Sequence, residues 1–209
     1  MAATATPYGF RPVNLLGGRP YAGSTRAIKI ASGYATNIFN GSLVTLLKSS
    51  GTIELLETDT GAAGSLFDQS ASGFPIGVFV GCQYTDATLG FVSRNYWPTG
   101  QVATDAVAFV VDDPLALFQV QSAGSIAQAE LGMNCGLNAV QSTSTGSTST
   151  GNSNSAVTAA AVDTTGLAFR IVDFVESTTS TVGDAYTDII VKFNSGVHAY
   201  DQPVGNTFT

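Results

Sequence analysis

The residues with the chemistry for catalysis are few in this chain, and their spacing does not assemble them. The single histidine, His198, lies in a polar C-terminal stretch. No cysteine or carboxylate stands around it at metal-ligand spacing, so it reads as a solvated side chain and not as a ligand. It is also the only histidine available to a serine nucleophile, and no GxSxG elbow is present. Neither GxxxxGK[ST] nor GxGxxG occurs, which leaves nucleotide chemistry without a phosphate cradle. Two pairs of carboxylates, Asp112 with Asp113 and Asp184 with Asp188, are the types that cleave glycosides. The first pair precedes Pro114, where turn formation explains it better. Tyr96 and Trp97 could stack on a sugar, but an aromatic pair at a strand end reads first as core or interface. Cys82 and Cys135 lack CxxC spacing and read as two buried free thiols, which favours assembly in a reducing cytoplasm. No enzyme activity, metal or cofactor is expected.

The elements that must position these residues are strands. The run at 106–111 is apolar, β-branched and aromatic, as in a core strand, and 112–114 should turn the chain. Beyond it Phe118 and Val120 alternate with Gln119 and Gln121, so a central β-hairpin is expected. Further strands are read at 25–31, at 42–48 and 52–57 as a hairpin, at 75–82, and at 89–97. Two more follow at 166–175 and 185–194. In 75–82, Ile76, Val78, Val80 and Cys82 share one face, and Gly77 and Gly81 predict a close backbone approach on the other. Residues 58–73 read as loop. Residues 125–132 are the one helix candidate, with Ser125 as cap and Gln128 completing a capping box. The Ser/Thr-rich segment 142–155 has no apolar area to bury and reads as a flexible surface excursion, dispensable for folding. The end, from 195 to 209, reads as polar and extended. About nine strands and almost no helical period predict an all-β fold, an antiparallel sandwich or barrel of jelly-roll-like kind.

Charge divides the chain. Charged residues are 11% of the sequence, against about 25% in ordinary domains. Before Glu54 there are Arg11, Arg19, Arg26, Lys29 and Lys48 and no acid, whereas from Glu54 onward fifteen carboxylates face three basic residues. The acidic body repels nucleic acid, and the basic part lacks the dense clustering of a phosphate-binding tail. No run approaches the roughly 20 apolar residues that span a bilayer, and residues 1–12 have no basic n-region or apolar h-region, so no secretory signal is expected. Pro7, Pro12 and Pro20 among several glycines make residues 1–24 an extended N-terminal arm, followed by a single β domain at 25–209. Tyr8, Phe10, Leu15, Leu16 and Tyr21 give that arm apolar surface, and Arg11, Arg19 and Arg26 suit it to an acidic partner.

The segments PYGFRPVNLLGGRPYAGSTRAIKIASGY, GVFVGCQYTD, YWPTG, FVVDDPLALFQVQ and VGDAYTDIIVKFN resemble the head decoration, or cement, proteins of tailed bacteriophages. The resemblance implies a β-rich structural virion protein on the capsid exterior, assembled in the host cytoplasm. It also implies binding to the major capsid protein, commonly as a homotrimer, with a terminal arm reaching over capsid subunits. On that reading Tyr8, Phe10, Arg11, Leu15, Leu16, Arg19, Tyr21 and Arg26 are the capsid-binding residues, and removing residues 2–23 should leave a folded body. The alternative is a receptor- or glycan-binding head-fibre or tail component, with Tyr96, Trp97 and the 142–155 segment as recognition elements. The shell-forming capsid protein itself is disfavoured by the short chain and the lack of a long amphipathic helix.

Overall fold

The computed structural model of the protein describes residues 4–47, 49–56, 74–139, 141–142, 144–159 and 167–201. In chain order the strands begin with β1 (Arg11–Leu15), β2 (Arg19–Pro20), β3 (Arg26–Lys29), β4 (Ile38–Phe39), β5 (Leu43–Leu47), β6 (Thr52–Leu55) and β7 (Pro75–Asp86). They continue with β8 (Gly90–Arg94), β9 (Tyr96–Trp97), β10 (Val107–Val111), β11 (Ala116–Gln121), β12 (Asn134–Cys135), β13 (Phe169–Phe174) and β14 (Asp188–Phe193). One sheet has the order β12, β13, β14, β11, β1, β2, and a second the order β3, β10, β7, β5, β6, with β8 also on β7. The short strands β4 and β9 pair with each other. The strands of each sheet pair antiparallel and the sheets stay open, so the body is a sandwich and not a closed barrel.

Alternation along the strands explains the first core. Phe118 and Val120 of β11, Phe169 and Ile171 of β13, and Ile189, Val191 and Phe193 of β14 point one way and meet Leu43 and Val78 of the second sheet. The rings interlock: Phe10 stacks on Phe169 at 4.9 Å, and Phe169 meets Phe193 at 5.3 Å. A second core lies on the other face of the second sheet, where Phe79, Cys82, Tyr84, Ala108 and Val110 pack with Ile38 and Trp97. That sheet is therefore covered on both faces. This accounts for the near-continuous apolar run in β10, since Val110 enters one core and Val111 the other.

The structure corrects several expectations. Strands β10 and β11 are not a hairpin; they belong to different sheets, and residues 112–115 carry the chain from one layer to the next. Turn chemistry is present as expected, with Asp113 accepting from the Leu115 N–H, but a turn between two strands does not decide whether they pair. In β7, Val78 faces the inter-sheet core and Val80 packs against it, while Ile76 and Cys82 face the other core. Register slips against β10 between Phe109 and Val110 and against β5 between Val44 and Thr45. Each bulge inserts one residue and flips the faces beyond it. The close approach at Gly77 is as expected, because a Cβ there would run into the Val111 carbonyl.

The helix expected at 125–132 is a single 3₁₀ turn, Gln128–Glu130, in which the Glu130 carboxylate accepts from the Ala127 N–H. Ser125 instead donates to the Gly183 carbonyl. Of the Ser/Thr-rich segment, Gly151, Ser153 and Ser155 are buried, and its backbone is laced to Asn40 on both sides, Asn40 N–H to Gly151 and Ser153 N–H to Asn40. Buried Gln141, just before it, acts as a strand surrogate: its amide accepts from Leu43 N–H and donates to the Leu43 and Leu56 carbonyls. Hydrogen bonds to distant backbone replace the apolar area this segment lacks.

The end of the described chain docks on the body as well. Val197, His198 and Ala199 are buried, and Ala199 N–H donates to the Pro75 carbonyl. His198 is thus not a solvated side chain; it lies between the rings of Phe193 and Tyr200 at 5.3 and 5.5 Å. The cysteines are free and buried, as expected. Burial pushes both thiols up to about 12, which keeps them protonated and unreactive. The loop expected at 58–73 and the end beyond 201 lie outside the described residues.

Candidate functional site

The segment read as an extended arm is extended, and from Gly9 to Leu15 it lies within the body. Gly9 has φ +77°, and a Cβ there would stand 2.9 Å from the Gly41 carbonyl and from Ser153. Only glycine lets the chain press this closely between the second sheet and the Ser/Thr-rich segment. The turn drives Phe10 fully into the inter-sheet core, with its N–H donating to Gly41. Strand β1 then pairs with β11 and β2 in the first sheet. Removal of residues 2–23 would take out a core ring and two strands, so it is not neutral for folding.

What remains outside forms a cleft of about 450 Å³ walled by Tyr8, Arg11, Pro12, Tyr21, Val80 and Asn152. The Arg11 guanidinium lies 4.1 Å above the Tyr8 ring, a cation–π arrangement that holds a charge over an aromatic floor. The Tyr8 hydroxyl donates to Asp188 Oδ1 at 3.1 Å. Burial, and secondarily the Asp188 charge and this bond, raise the Tyr8 phenol well above its ordinary value. Burial likewise raises Asp188, while the Tyr8 bond and Arg11 hold it down. Tyr21 donates to the Ser24 carbonyl, which closes the loop between β2 and β3 along the cleft.

The residues expected to bind a capsid part company. Tyr8, Arg11 and Tyr21 meet at the cleft. Phe10 is core, and Leu15 packs against that core. Leu16 and Arg19 stand exposed at the β1–β2 turn. Arg26 pairs with Asp112 and lies 5.2 Å over the Tyr200 ring. Asn40, Val80 and Asn152 were missed as cleft residues, and no spacing in the sequence could place them there, since they come from three separate parts of the chain. Asp188, expected only as the partner of Asp184 in a carboxylate pair, instead holds the Tyr8 hydroxyl.

The other chemical candidates resolve into structure. Trp97 is fully buried, donates to the Tyr34 carbonyl at 3.3 Å and meets Tyr84 edge-on, so it cannot stack on a ligand. Tyr96 stacks on Phe39 and borders a groove of about 360 Å³ with Arg94, Asn95 and residues 148–151. Asp184 accepts from the Thr181 N–H within its own turn. Among the described residues no three of His, Cys, Asp and Glu converge as a metal set, and no helix is long and apolar enough to cross a membrane. The cleft can therefore hold an apolar or aromatic group carrying a carboxylate; it presents aromatic faces, amides and one guanidinium, and no activated nucleophile.

No family model matches the chain, and no curated protein or solved structure matches it.

Proposed function

We propose that this chain is a structural virion protein that binds the outer surface of a bacteriophage capsid and stabilises it. The observation that carries this reading is the mounting of the N-terminal segment. Phe10 roots it in the core, while Leu16 and Arg19 remain exposed at the β1–β2 edge of the first sheet. An adhesive surface on a rigid root loses little conformational freedom when it binds, and guanidinium groups suit carboxylates on a partner. The resemblance of the segments quoted above to phage cement proteins supports the same assignment. The partner is the major capsid protein, and the assembly a homotrimer on the capsid exterior. Co-sedimentation of the purified chain with undecorated shells tests it: the wild type should pellet with the shells, and L16E/R19E should stay in the supernatant. Equal pelleting of both would remove the N-terminal surface from the contact, and failure of the wild type to pellet would reject the reading.

A receptor- or glycan-binding role has one feature in its favour, the polar groove at Tyr96, Arg94 and residues 148–151. Its other expected element, Trp97, is sealed in the core. Glycan-array binding abolished by Y96A would move the assignment to this alternative.

A further inference from the structure

Among the described residues, two of the three most exposed large apolar side chains stand at one place. Leu89 is 63% exposed, Phe91 69% and Val102 71%. Leu89 and Phe91 sit at the tip of the β7–β8 hairpin, where Asp86 pairs with Gly90 and Thr85 with Phe91. Gln101, next to the exposed Val102, donates to Asp86 at 3.2 Å and braces the hairpin. The tip is stiff: the Asp86 carboxylate accepts from the Thr88 and Leu89 N–H groups, and Asp105 accepts from both the N–H and the hydroxyl of Thr85. It is an apolar knob flanked by two carboxylates. The cleft beside the N-terminal strand is its complement, with the faces of Tyr8, Pro12 and Tyr21 for the apolar part and Arg11 for the acids.

A molecule cannot fill its own cleft with its own knob. Val80 lines the cleft and Asp86 begins the tip, and both belong to the unbroken strand β7. Six residues of strand hold them about 20 Å apart. The knob is available only to another molecule.

We propose that the β7–β8 tip of one copy seats in the Tyr8, Arg11 and Tyr21 cleft of a second copy. The contact joins two different patches, so it is head-to-tail, and it closes into a ring or continues as a chain according to the rotation between copies. Phe91 supplies the anchor, and Asp86 and Asp105 meet Arg11. The proposal goes beyond shell binding and stands without it. With the cleft occupied by a neighbour, the β1–β2 turn with Leu16 and Arg19 stays open to the shell.

The experiment uses the full chain and light scattering coupled to size exclusion, at low and high salt. The wild type should be larger than a monomer and lose mass as salt screens the charged pairs. Phe91→Ser removes the knob, and Thr25→Trp fills the cleft from an exposed lining position; each should be monomeric with unchanged circular dichroism. An equimolar mixture of the two should give a heterodimer, because one retains a cleft and the other a knob. A contact between like patches would give no rescue. As a second reading, F91C/T25C should link copies by a disulfide under oxidised glutathione, and neither single variant should do so. A wild type that is monomeric at low salt, an oligomer indifferent to either substitution, or absence of the cross-link overturns the proposal. Failure of shell co-sedimentation leaves this result unaffected, and a monomeric wild type would remove the homotrimer while leaving shell binding to its own test, so shell binding and the head-to-tail contact fail separately.

Discussion

The Tyr8 hydroxyl donates to the Asp188 carboxylate at 3.1 Å, joining the start of the chain to β14 across 180 residues of sequence. The bond ties the N-terminal segment to the first sheet from outside, while Phe10 ties it from within. Burial raises the Asp188 acid above its ordinary 3.8, so the folded state favours the protonated form. The associated stability is fully present below 3.8 and is lost as pH rises through the raised folded value.

Asp188→Asn keeps an acceptor for Tyr8 and removes the charge. Its unfolding free energy should lack the decline that the wild type shows as pH rises from about 3.8. Urea unfolding at a series of pH values measures the two curves; parallel curves would show that Asp188 is not the group responsible.

Phe10→Ala opens a cavity among Phe118, Phe169 and Phe193. The expected loss is about 3 to 5 kcal/mol, the range for a buried phenylalanine. Truncation of residues 2–10 should cost at least as much. A truncated chain that unfolds at the same denaturant concentration as the wild type would return this segment to the status of a detachable arm.

Gln141→Leu keeps the size of the side chain but takes the partner from the Leu43 N–H and the donor from the Leu56 carbonyl, while the Leu43 carbonyl keeps the Leu56 N–H. Each orphaned buried group costs about 1 to 3 kcal/mol, so the variant should be strongly destabilised despite its greater hydrophobicity. Excision of residues 145–153 should also lower the melting temperature, through loss of the Asn40 bonds. An unchanged melting temperature after excision would restore the view of this segment as dispensable.

His198 is held below its ordinary 6.5, first by burial. The unfolded chain takes up a proton that the folded one resists, so stability is complete above 6.5 and falls as pH drops through the lowered folded value. His198→Asn keeps an acceptor for the Tyr200 N–H and should flatten stability between pH 7 and 5, at the cost of some ring packing. Thermal unfolding across that interval decides it, and an unaltered slope would assign the effect to other groups.

Much of the local structure is legible in the residues alone. The β5–β6 hairpin and the strands β13 and β14 follow from alternation at period two, because a half-buried strand writes its two faces directly into neighbouring residues. The all-β class follows for the same reason, as does the close approach at Gly77. Pairing is a different matter. Val107–Val111 and Ala116–Gln121 each read as strands, yet only the two stacked sheets decide that they lie in different layers. Alternation says which side of a strand is buried and nothing about which distant strand lies beside it. Polar residues carry still less. Gln141, Ser153 and His198 are buried because backbone groups at Leu43, Leu56, Asn40 and Tyr200 come within hydrogen-bonding reach or, for Ser153 and His198, because neighbouring chain closes over them. The cleft has the same origin: Tyr8 and Arg11 announce their chemistry in sequence, but Val80, Asn152 and Asp188 join them only when two sheets pack. Contacts across such separations are set by the shape of the whole core, and no window of sequence contains them.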